Sequence, residues 1–131
     1  MLSRRKMSYI ELARRIAQQS EAPDFRHGAV LVNHGSVLNT SPNKFAACCF
    51  ASRFRTEPGI ATVHAEVGAV LNCSIEQTEG GIVYVVRVNK SGDLKNSRPC
   101  PMCFGVMKHT KVRKCVFSTG DKEIPFDEVR I

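Results

Sequence analysis

No stretch of this 131-residue chain approaches the roughly 20 consecutive apolar residues that span a bilayer, which argues against a membrane-crossing helix. The basic start, Met1-Leu2-Ser3-Arg4-Arg5-Lys6, also lacks the apolar core of a secretory signal. The next segment, Tyr9-Ile10-Glu11-Leu12-Ala13-Arg14-Arg15, is amphipathic instead. A cytoplasmic, intracellular protein with no membrane partner is therefore expected. There is no internal repeat and no low-complexity tract, and apolar and charged contents of 43% and 24% invite neither disorder nor a coiled coil. One domain spanning residues 1–131 is expected, large enough for a single core. Acidic residues are scarce: 12 against 19 lysines and arginines, a net charge of +7. Residues 1–118 carry 17 basic and 8 acidic side chains, a balance that attracts phosphate or simply keeps the protein dissolved. A second C-x2-C pair is also missing. Of the six cysteines only Cys100 and Cys103 have metal-like spacing, so a disulfide framework is not indicated.

The apolar pattern alternates between helical and extended periods. Ser8 and Glu11 suggest a capping box opening a helix over residues 9–19, with Ile10, Ala13, Ile16 and Ala17 facing the core. Residues 29–32 and 37–40 read as strands joined by a turn through His34-Gly35, with Asn43 at the exit. From there to about Thr62 the pattern assigns only a turn at Pro58-Gly59. His64 opens a second helix with Val63, Val67, Val70 and Leu71 as its apolar stripe. Residues 82–88, β-branched almost throughout, predict a central strand covered on both faces. Residues 101–110 predict a third helix with Met102, Val106 and Met107 inward. Residues 115–117 and 129–131 read as closing strands. Alternating helices and strands predict an α/β sheet with helices packed on it.

The informative residues are His64-Ala65-Glu66 and Pro99-Cys100-Pro101-Met102-Cys103. An imidazole and two thiolates suit a tetrahedral Zn2+ and leave its fourth position for water; they suit magnesium or calcium poorly. Glu66, in the first helical turn, can bend back to take a proton from that water and pass it to a ring nitrogen and a leaving amine. A structural alternative has Cys49 or Cys73 closing the shell, and a second metal site at Cys48-Cys49 is conceivable. Cys73 and Cys115 otherwise read as small buried hydrophobes. His34 and His109 read as surface residues. His27 borders the expected pocket, and Asn43 is either a turn residue or a substrate contact.

This H-x-E…P-C-x-x-C arrangement is the signature of zinc deaminases acting on nucleobases, and nearly the whole chain resembles the cytidine deaminase-like superfamily. The resemblance implies a three-layer α/β fold, a mixed five-stranded sheet flanked by helices. It implies His64, Cys100 and Cys103 as zinc ligands, Glu66 as catalytic proton shuttle, and Asn43 and the Ala65 backbone as substrate contacts. His27, Arg26, Arg98 and Phe117 complete the candidate contacts. Pro101-Met102-Cys103-Phe104-Gly105-Val106-Met107 is similar to transfer-RNA adenosine and guanine deaminases, whereas the ending after Phe117 is more similar to small deoxycytidylate-type phage or viral enzymes. A last strand returning in a tight hairpin would be antiparallel, as in the pyrimidine nucleoside branch. The expected activity is hydrolytic conversion of cytosine to uracil, in a nucleotide or in single-stranded DNA or RNA. Arg26, Arg53, Arg55, Lys90, Lys95 and Arg98 could ring the mouth, with Phe25 and Phe54 to stack a neighbouring base. A homodimer is a further implication of the resemblance. The alternatives are an adenosine or guanine deaminase and a non-catalytic, zinc-stabilised nucleic-acid-binding module.

Overall fold

The computed structural model describes residues 3–20, 25–43, 64–70 and 73–131. The residues flagged in the sequence at Pro58-Gly59, Val63 and Leu71, together with Cys48, Cys49, Arg53, Phe54 and Arg55, lie outside the described residues. Among those described, no helix is long and apolar enough to cross a membrane.

Helix α1 (Arg4–Gln18) begins earlier than its sequence pattern suggests. Ser3, not Ser8, is the N-cap: its side chain accepts the Lys6 amide at 3.2 Å. Arg4, Arg5, Lys6 and Met7 are good helix formers, so the helix extends back to that earlier cap. Ser8 Oγ, already inside the helix, donates to the Arg5 carbonyl. Strands β1 (Arg26–Asn33) and β2 (Ser36–Pro42) form the expected hairpin. Its two-residue turn, His34-Gly35, has positive φ at both positions, the geometry that matches strand twist. After α2 (Ala65–Val70) comes a short helix, α3 (Ile75–Thr78), capped by a Ser74–Gln77 capping box that the sequence pattern did not reveal.

Strand β3 (Ile82–Val88) is next, then the two-residue β4 (Leu94–Lys95), α4 (Pro101–His109), β5 (Lys114–Ser118) and β6 (Phe126–Arg130). The last strand starts three residues earlier than the sequence suggests. The sheet runs β2-β1-β3-β5-β6, with β4 on the end of β3. This is the mixed five-strand path expected, plus one short strand. Among the described strands only β3 and β5 pair in parallel; β6 returns antiparallel to β5. A parallel pair needs a crossover, and α4 provides it.

Helices cover both faces of the sheet. On one face Val30, Val32, Tyr84, Val86 and Val88 pack under Ile10, Ala13 and Ala17 of α1. On the other, Ala29, Leu31, Val83, Val85, Cys115 and Phe117 pack against α2 and α4. The continuous apolar run of β3 thus divides by residue parity between two cores. Where β3 changes partner from β5 to β4, two serines complete its ladder. Ser97 Oγ donates to the Val85 carbonyl at 2.9 Å, and the Arg87 amide donates to Ser118 Oγ at 3.1 Å.

Candidate metal centre and active site

Two helix starts converge on the α2/α4 face. The His64 carbonyl accepts the Gly68 amide, so His64 occupies the N-cap position of α2. Cys100 is the N-cap of α4, with Pro101 as first helical residue and Cys103 in the first turn. Proline suits that position because its missing N–H would be unbonded there anyway. His64 Nδ1 lies 3.1 Å from Cys103 Sγ and 3.6 Å from Cys100 Sγ, and the two sulfurs are 3.5 Å apart. A tetrahedral zinc with ordinary bond lengths would set S···S at about 3.8 Å and S···N at about 3.6 Å. The three donors therefore form one face of such a tetrahedron, slightly contracted, and the group fits zinc. Among the described residues no fourth His, Cys, Asp or Glu joins them. Cys73 points its thiol at the Ala69 carbonyl instead, and Cys115 is fully buried.

The electrostatics place one negative charge on the cysteine pair and seat it on Cys100. Cys100 is pulled down to about 4, chiefly by a hydrogen bond from Cys103, against the opposing effect of burial. His64 and the Cys103 amide help. Cys103 moves well up, because Cys100 holds the shared charge, the site is buried and the Glu66 carboxylate is close. Glu66 itself is only 4% exposed.

Around this group the register assembles one set of candidates and separates another. His27 faces the metal side, opposite Arg87 in the β1–β3 pairing. Burial holds its imidazole below the ordinary value, while Glu66 pulls the other way. Phe117 is buried on the same face, and the Arg98 guanidinium stands 5.5 Å from its ring centroid. Ala65 is fully buried in the core. Asn43 Oδ1 accepts from Ser20 Oγ and from the His27 amide, and its Nδ2 donates to the Phe25 carbonyl. The Asn43 amide thus braces the entry to β1. Arg26, paired with Val88, faces α1 on the other side of the sheet by strand alternation. Sequence reasoning missed Arg87. The signal was there: a cation at an inward position of an otherwise apolar strand.

Comparison with known proteins agrees with this geometry. Residues 3–119 match the family model for the cytidine and deoxycytidylate deaminase zinc-binding region. No curated protein matches the chain. Among solved structures, the deoxycytidylate (dCMP) deaminase of the cyanophage S-TIM5 in apo form is similar at a TM-score of 0.67 and 24% identity, covering 91% of this chain and 86% of that one. The same enzyme in complex with dCMP and dUMP gives 0.66 and 24%, covering 91% and 84%. RibD of Acinetobacter baumannii, form 1, gives 0.54 and 16%, covering 88% of this chain but 28% of its own. At these identities the likeness is one of fold.

Proposed function

The chain belongs to the cytidine and deoxycytidylate deaminase zinc-binding family and is a zinc-dependent deaminase of that type, and from this premise we propose that it converts cytosine to uracil in a deoxycytidylate-like nucleotide, with Glu66 carrying the protons. The observation behind the chemistry is the buried Glu66 carboxylate beside the His64, Cys100 and Cys103 donors. Zinc bound there supplies a Lewis acid that lets water react near neutral pH. Glu66 accepts a proton from the water that adds to C4 and delivers one to N3. It then carries the second proton to the exocyclic nitrogen, the C4–N bond breaks, and ammonia leaves with uracil as product. His27 and Phe117 form walls for the base. The substrate class draws support from the S-TIM5 enzyme of the same fold, whose complex holds dCMP and dUMP.

The test is ammonia release and product mass with zinc-loaded protein on cytidine, dCMP, cytosine-bearing single-stranded DNA and RNA, and adenine and guanine counterparts. Turnover of dCMP is expected, and Glu66→Gln should lower it by about 10²- to 10⁴-fold with zinc content and fold retained. Full activity in that variant would remove Glu66 from the mechanism. Turnover confined to the strands would reassign the substrate.

A further inference from the structure

Arg87 stands on the metal side of β3, directly across from His27. Residues opposed in this way carry Cβ atoms about 5 Å apart. Its backbone is held by Ser118 Oγ, and its guanidinium lies 4.1 Å from the Phe25 ring centroid. Among the described residues no carboxylate pairs with it: the ion pairs are Arg14–Glu11 and Lys114–Glu128. Its Nε is buried and has no hydrogen-bond partner. Leaving a charged donor buried and unmet is costly, and stacking on Phe25, itself 59% exposed, offers no acceptor to Nε. Nε is closed to solvent, but Arg87 as a whole is only half-buried, so an anionic group arriving with the substrate would neutralise the charge that Nε leaves unmet. A planar guanidinium suits phosphate because it can engage two oxygens at once. A substrate with its base beside Glu66 and His27 needs to extend only past His27 to reach Arg87. Arg98, over Phe117, adds a second cation on this side.

We propose that Arg87 binds the 5′-phosphate monoester of the substrate and so selects a nucleoside monophosphate over the nucleoside. The proposal rests on the cytosine-nucleotide reading above.

The measurement is the ratio of kcat/KM for dCMP to that for deoxycytidine, in wild type, Arg87→Met and Arg87→Lys, with zinc content checked for each. Arg87→Met should lower the ratio by about 10- to 100-fold, the range for loss of a charge-assisted contact, and Arg87→Lys by less. A ratio unchanged in both variants overturns the assignment. An equal or greater loss on a cytosine-bearing oligodeoxynucleotide would overturn the monoester and point to a phosphodiester. Calorimetric binding of dUMP and of thymidine 5′-phosphate separates this proposal from the reading beneath it. If wild type deaminates no cytosine compound, that reading fails. Arg87 is then still judged by whether its variants weaken 5′-phosphate binding, and unchanged affinity sinks it.

Discussion

His27 lies within electrostatic reach of Glu66, Arg87 and His64, yet burial dominates and keeps its imidazole below the ordinary 6.5. The folded protein therefore resists protonating this ring more than the unfolded chain does. Below about pH 6.5 the unfolded state binds the extra proton, so stability falls as pH drops through that range and is level above it. Chemical denaturation of zinc-saturated protein between about pH 5.5 and about pH 7.5 should show this slope, and His27→Gln should flatten it. The difference in slope is bounded at about 1.4 kcal/mol per pH unit, the limit for one proton. Identical slopes in the two proteins would mean His27 titrates as it does unfolded. The same residue shows what could be read from the chain alone. His64, Cys100, Cys103 and Glu66 were legible because metal chemistry demands those types at those spacings. Arg87 showed only as a cation in an apolar strand, and its place beside His27 emerged with the register.

The helix–strand packing turns on a single missing methyl group. A Cβ on Gly28 would sit 2.2 Å from the Ala13 carbonyl oxygen and 2.3 Å from the Ala17 amide nitrogen. Both are backbone atoms, so α1 must shift off β1 to accommodate any side chain. Gly28→Ala should cost about 1–3 kcal/mol or more, read as a lower denaturation midpoint. It should also disturb His27, the next residue along the strand. A midpoint equal to wild type would mean α1 rides on the sheet more loosely than its contacts indicate. The elements recovered from sequence were those with enough residues to show a period, such as the β-branched run of β3 and the inner face of α4. Strand β4 has two residues and α3 has four, too few for periodicity. Each is defined by local chemistry, a ladder partner in one case and a capping box in the other. The start of α1 was misplaced because the Ser8–Glu11 spacing imitates a capping box, whereas Ser3, the actual cap, has Lys6 three residues on.

At the scale of the molecule, the metal donors join the starts of α2 and α4 on one face of the sheet, while α1 packs on the other. Chelation should therefore lower the melting temperature while leaving most far-UV ellipticity at room temperature in place. Zinc present at 1,000 times its dissociation constant stabilises by about 4 kcal/mol, and calorimetry with and without a chelator, then with zinc added back, measures it. Coincident melts would indicate that the three donors are not clamped by a metal in solution. The fold class was legible because alternating elements leave few arrangements. The parity that puts Arg26 and His27 on opposite faces emerged only with the register. The hairpin turn carries a practical consequence. His34-Gly35 closes the end of β1 remote from His27, about 20 Å away along an extended strand, and the His34 side chain there is exposed. A protein tethered to a bead or an electrode through that turn would stand with its reactive end toward the bulk solution, as an immobilised catalyst should.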